Sequence, residues 1–562
     1  MDWVQTYDPL SSAWLSTLLA AAPIVVLLGL LAIGQSAPRA AVAGLAVALA
    51  VAIVGYGMPT STALAAALYG ACFGLLPIGW IVLAAVFLFH LTVHSGQFEV
   101  VKHSVAAISP DRRMQALLIA FSFGTFVEGA AGFGTPVAIS AALLIGLGFS
   151  PLYAAGLALL ANTSPVAFGA LGTPITTLAK ISGLDEFALS QMAGRQLPFF
   201  SLIVPAWLVA TMSGWRGVVG CWPAILVCGG SFATIQFLTA NFHGPTLVDV
   251  VGGLGSLVAL AVFLRFWQPK EVWRFPDEQQ ETTAGESRPL ARGAIAYAWF
   301  PWVLLSVLVF LWGEPGFRVV LNGGDASHAN VLAGKTGFAW PISGLDGHVF
   351  RTAPVVELAP GADRASEGEK AVYEFNWLST TGSGIFIAAV LSAAWLRIPP
   401  GVVARQFLDT LIKMRWALAT IACMLALAFV TKYSGSDATL GLAFTKTGSL
   451  YPFFAPLLGW LGVALTGSDT SSNALFGSLQ RITAEQLNLD PLLIVASNST
   501  GGVMGKMIDA QSIVVAAVAT EQSGGEGRIL RFVFVHSIVL ASLVGLLTLA
   551  QAYLWPWMIP GQ

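Results

Sequence analysis

Four ionisable residues, Glu128, Asp469, Lys506 and Asp509, stand inside stretches otherwise made of glycine, small polar and apolar residues. Four clusters surround them: GTFVEGAAGFGTP (124–136), NTSPVAFGALGTP (162–174), TGSDTSSN (466–473) and NSTGGVMGKMIDAQ (498–511). Glycines at 132, 134, 172, 467, 501, 502 and 505 permit sharp reversals and close approach of backbone to a ligand. Half-helices that start after such breaks aim free N–H groups and a positive dipole end at whatever lies beyond them, which suits a carboxylate. The backbone at Gly134 and the side chains of Thr135, Asn162, Thr163, Ser472, Asn473, Asn498, Ser499 and Thr500 add donors for a carboxylate and partners for a hydroxyl. The ligand implied is a small polar anion.

A charge at membrane depth costs several kcal/mol unless it pairs or neutralises, so each of the four is a functional candidate. Glu128 and Asp469 are the carboxyls expected to take up and release a proton. Lys506 is expected to face the anion, or to pair with Asp509 three residues on along one helix. The plainer alternatives are a helix N-cap for Asp469, backbone N–H groups holding Glu128, and small residues that only let helices pack closely. Clusters that put Asn beside Ser or Thr in both halves of the chain favour binding. His90 and His94 have metal-ligand spacing but no third ligand nearby, so no metal is expected. No nucleophile elbow, phosphate loop or other cofactor motif appears, so neither an enzyme nor a cofactor is expected.

The elements that must position these residues are set by the solvent. Of 562 residues, 56% are hydrophobic and only 10% charged, where soluble domains carry charge on roughly a quarter. Residues 40–98 and 129–179 contain no Asp, Glu, Lys or Arg, and a single crossing needs roughly 20 apolar residues. Further charge-free runs at 13–36, 217–248, 250–264, 293–313, 377–396, 416–431, 447–468, 491–505 and 532–562 bring the expected total to about 12–14 spans. The expected fold is an all-α polytopic membrane protein embedded in a lipid bilayer. A net charge of −2 and the lack of a basic stripe exclude a nucleic-acid partner. Cys72, Cys221, Cys228 and Cys423 all fall in apolar runs and read as packing residues.

Lys and Arg cluster at 102–113, 265–292, 397–415 and 528–531, which the positive-inside rule places in the cytoplasm. An N-terminal half (1–267) and a C-terminal half (293–562) are then joined by a cytoplasmic linker, 268–292, and the termini and a Gly-rich insertion at 314–375 face outward. The halves repeat in order: a Gly/Ser/Thr-rich break, a short turn ending in Pro (GFSP at 148–151, NLDP at 488–491), and a second break opening with Asn, at Asn162 and Asn498. The first break is approached from the cytoplasmic side and its counterpart from the outer side. Inverted repeats with re-entrant hairpins and broken helices are the architecture of secondary transporters, with the site where the breaks meet.

Longer motifs sharpen this. EGAAGFGTPVAI (128–139), GLGFSPLYAAGL (146–157), NTSPVAFGALGTPI (162–175), GRQLPF (194–199), GWLGVALTGSDTSSNALF (459–476) and STGGVMGKMIDAQSI (499–513) resemble the L-lactate permease family, which includes glycolate permeases. The resemblance runs over nearly the whole chain, departing at Lys432 and fitting loosely over 320–370. It implies proton-coupled symport of L-lactate, D-lactate and glycolate by a multi-pass protein of the bacterial inner membrane. Backbone carbonyls and Asn, Ser and Thr oxygens at broken helices suit Na⁺ equally well, so a sodium-coupled small-carboxylate carrier is the alternative. A membrane sensor would need an output domain, for which the cytoplasmic segments are too short.

Overall fold

The computed structural model of the chain describes residues 2–33, 35–106, 108–130, 132, 135–275, 291–324, 330–355, 368–522 and 525–561. Much of the expected linker, 276–290, and parts of the insertion, 325–329 and 356–367, lie outside them. The chain is an all-α polytopic membrane protein. Six helices among the described residues are long and apolar enough to cross a membrane, or seven if Pro151–Ala161 and Val166–Ser182, bent by 61°, make one span. Four shorter apolar helices accompany them: Ala13–Leu27, Pro136–Gly146, Val248–Phe263 and Thr381–Trp395. Bare apolar side chains such as Val54, Trp215, Phe242 and Leu554 cover the outside, an arrangement that water disfavours and lipid tails accept.

Glu186–Phe242 is far longer than one crossing. Its 57 residues would reach about 85 Å as a straight rod, but Gly214 sits at φ 65° and ψ −172° and folds it back on itself. Ser190 donates to the Ala240 carbonyl and Ser201 to Gln236 Oε1, so the two arms run antiparallel. The few strands lie at one end. Trp3–Val4 pairs in parallel with Val349–Phe350, and Gly337–Pro341 pairs antiparallel with Val372–Asn376, tying the N-terminus to the insertion.

The repeats are two helical hairpins, each followed by a further helix. The first hairpin runs through Ala116–Phe123 and Gly124–Ala130, turns near Gly132, and returns as Thr135–Gly146. The second is Tyr451–Thr466, a tip at 467–468, and Asp469–Gln486. Proline opens the next helix in both, at Pro151 and Pro491, where its missing N–H costs nothing. The first hairpin begins and ends beside the linker: Asp111 accepts from Trp273 N, and Phe149 packs edge-on against Phe275 at 5.2 Å. The second ends beside the insertion, with Gln486 donating to the Pro354 carbonyl. The hairpins therefore enter from opposite faces and their tips meet in the middle.

One expectation is corrected. Asn498 does not open a break, because Pro491–Gly505 is helical throughout and the chain leaves helix only at 506–509. Gly501, Gly502 and Gly505 keep helical backbone. They serve close packing: a Cβ on Gly501 would lie 2.1 Å from the Pro456 carbonyl oxygen, and one on Gly505 2.3 Å from that of Trp460. Gly132, Gly172 and Gly467 do take positive φ, at 59°, 78° and 73°.

Candidate functional site

The two tips enclose a cavity of about 370 Å³. Glu128, Gly132, Gly169 and Ala170 line it from the first repeat, and the stretch from Thr466 to Ser471 with Lys506 from the second. Trp416 and Thr420, on the long helix Pro400–Ser434, close one side. The wall at Ala170 is unusual backbone. Ala170, Leu171 and Gly172 all have positive φ, an expensive conformation for residues with side chains that persists where surrounding structure enforces it.

Asp469 is the first residue of its helix, but the cap is Ser468, whose Oγ accepts from Ser471 N at 3.2 Å. The Asp469 carboxylate turns inward instead. Its Oδ2 accepts from Ser499 Oγ at 2.5 Å and Asn473 Nδ2 at 3.3 Å, while Oδ1 is buried without a hydrogen-bond partner. Glu128 is 4% exposed and its Oε2 has no partner. Lys506, also 4% exposed, donates to the Gly467 carbonyl at 2.6 Å and lies 3.5 Å from Asp509 Oδ2. Its ammonium thus meets the negative end of helix Tyr451–Thr466 at the second tip and stands beside Asp509, the pairing that the i,i+3 spacing allows. Three carboxyls and one ammonium share the site. Unless protonated, the carboxyls outnumber the cation.

The L-lactate permease family model matches residues 16–555. The chain belongs to that family. An L-lactate permease of Salmonella typhimurium is 47% identical over 99% of this chain and 100% of its own length. An L-lactate permease of Bacillus subtilis is 46% identical, and a glycolate permease of Escherichia coli 47% identical, each over 100% of both chains.

The site residues expected from the sequence divide by position. Glu128, Asp469 and Lys506 line the cavity. Asn473, Asn498, Ser472, Ser499 and Thr500 form the frame behind it. Asn473 donates to the Pro174 carbonyl at 3.1 Å, bridging the two repeats, and accepts from Asn498 at 2.9 Å. Gln480 donates to Asn498 Oδ1 at 3.1 Å, and Tyr451 donates to Gln480 Oε1 at 2.7 Å. Ser472 donates to the Gly459 carbonyl, Thr500 to Gln196 and Thr163 to the Leu160 carbonyl. Asn162 stands beside Glu128, yet neither of its buried amide atoms closes a hydrogen bond. Gly134 and the Thr135 side chain lie outside the described residues. His90 and His94 point to Thr410 and Gln406 on the neighbouring helix.

Sequence reasoning missed the buried acid nearest this site. Asp249 is fully buried in the first turn of Val248–Phe263, with neither carboxyl oxygen hydrogen-bonded. The available signal was a lone acid between two charge-free runs, 217–248 and 250–264.

Proposed function

We propose that the protein is a secondary active transporter that carries L-lactate, and the related 2-hydroxymonocarboxylates D-lactate and glycolate, together with protons across a bacterial inner membrane. The observation that carries this reading is the charge count of the cavity. Lys506 shares the cavity lining with Glu128 and Asp469 and lies 3.5 Å from Asp509 Oδ2, so an incoming anion adds negative charge where there is already an excess. Two unit charges about 4 Å apart repel by about 4 kcal/mol at a protein-like dielectric. Protonating one carboxyl removes that repulsion and ties anion binding to proton binding. The relatives' names supply the substrate class, and the helix starting at Asp469 supplies N–H groups for a carboxylate.

Uptake of labelled lactate into proteoliposomes tests the reading: accumulation is expected under a pH gradient alone. Accumulation under a Na⁺ gradient alone, with none under a pH gradient, would establish the sodium-coupled alternative.

The two asparagines separate binding from framework. Asn162→Ala removes an amide without partners beside Glu128, so lactate affinity is expected to fall by roughly tenfold or more, with thermal stability little changed. Asn498→Ala takes the donor from buried Asn473 Oδ1 and one acceptor from Gln480 Nε2, and is expected to cost about 1–3 kcal/mol of stability. Unchanged affinity in purified Asn162→Ala removes that residue from the site.

The proposed orientation places the insertion outside and the linker inside. Ser343→Cys is expected to react with an impermeant maleimide on intact cells, and Lys270→Cys only after permeabilisation. Equal labelling of both contradicts the orientation.

A further inference from the structure

We propose that Asp249 is a proton-relay residue that passes protons arriving from the insertion side to Glu128. The proposal rests on the transport reading above and assigns a role to an acid outside it.

Helix Val248–Phe263 and hairpin arm Gly124–Ala130 touch backbone to backbone. A Cβ on Gly129 would stand 2.7 Å from Asp249 Cβ, and one on Gly253 2.5 Å from Phe126 N. Two glycines thus bring Asp249 against the residue next to Glu128. Both Asp249 oxygens and Glu128 Oε2 are buried without hydrogen-bond partners, and a buried carboxylate with neither partner nor cation is unstable unless protonated. Glu128 lines the same cavity as Lys506, so of the two carboxyls it is the one that shares a cavity with a cation.

Position gives the relay its direction. The loop before Asp249 carries His243, whose ring nitrogen lies 3.2 Å from the Phe310 carbonyl at the insertion end of Arg292–Gly313. The far end of Val248–Phe263 leads to Glu271 and Trp273, which meet Arg113 and Asp111 on the linker side. Asp249, in the first turn, therefore lies on the insertion side of its helix, while Glu128 is carried by the hairpin entering from the linker side. In the transfer step the Asp249 O–H bond breaks and a Glu128 O–H bond forms. The negative charge moves the other way, and a proton from the insertion side restores Asp249.

The experiment compares wild type, Asp249→Asn, Asp249→Glu and Glu128→Gln in proteoliposomes. Two readouts are taken: lactate accumulation driven by a pH gradient, and lactate-for-lactate exchange at equal pH, which needs no net proton movement. Asp249→Asn is expected to reduce accumulation by about tenfold or more while exchange stays within about twofold of wild type, and Asp249→Glu to restore accumulation. Wild-type accumulation in Asp249→Asn, with Glu128→Gln defective, overturns the relay and leaves the transport reading standing. A variant losing both activities together, or failure of both Asp249 variants to insert, marks Asp249 as a structural acid and overturns the relay. A wild-type protein that exchanges no lactate overturns both readings.

Discussion

Glu128→Gln is expected to abolish accumulation of lactate against its gradient while preserving lactate exchange between compartments at equal pH. A ligand shifts a conformational equilibrium only by its differential affinity for the states. A symporter therefore needs a group whose proton changes the affinity for the anion. Glu128 lines the cavity, is buried, and has an oxygen without a partner. Ionised, it opposes a nearby anion by about 4 kcal/mol, roughly a thousandfold in affinity. The amide cannot switch between charged and neutral forms. Glu128 is favoured over Asp469 as carrier because Asp469 Oδ2 already accepts from Ser499 and Asn473, and Asp469→Asn disturbs that frame as well as the charge. Wild-type accumulation by both neutral variants would place the coupled proton elsewhere.

Gly459→Val is expected to prevent formation of a folded, detergent-stable protein. A Cβ at 459 would stand 1.8 Å from the Asn498 carbonyl oxygen and 2.7 Å from its carbon. Gly501 meets the Pro456 carbonyl reciprocally at 2.1 Å. Helices Tyr451–Thr466 and Pro491–Gly505 are thus held at a separation that no side chain fits, and backbone cannot rotate away as a side-chain end can. Overpacking well-packed interiors costs about 1–3 kcal/mol and occasionally more; here the obstacle is main chain on both sides, so the upper end or beyond is expected. Gly29→Ala, with nothing within 4 Å of the added carbon, serves as control and is expected to change stability by less than about 0.5 kcal/mol. Size-exclusion profiles and thermal melts of the two variants check this, and a monodisperse Gly459→Val with a wild-type melt contradicts it.

Much of the architecture is legible in the sequence because lipid enforces it. Charge-free runs mark helices, and the interruptions that hold Gly132 and Gly467 become hairpin tips, since bare backbone at membrane depth needs protein or a polar cavity around it. Glu128, Asp469 and Lys506 were visible as charges where charge is costly. The role of Asn498 was not. Glycine and small polar residues serve both to break helices and to pack them, and only the distant partners Asn473 and Gln480 fix which use applies. Asp249 was hidden for a related reason. An acid at the boundary of two apolar runs reads as a span end until the fold lays Gly129 against it. The strained turn at Ala170 and Leu171 carries no composition signal, because neither residue is one that favours positive φ.

Proton coupling itself is tested most directly by reading protons rather than lactate. Purified protein in proteoliposomes that enclose a pH-sensitive dye is given an inward lactate gradient, with equal pH and no Na⁺ on either side and protein-free vesicles as the reference. Coupled symport predicts that the lumen acidifies above that reference, that acidification stops when lactate entry stops, and that Glu128→Gln removes it. Lactate entry by the wild-type protein with the lumen pH no different from the protein-free reference would contradict it.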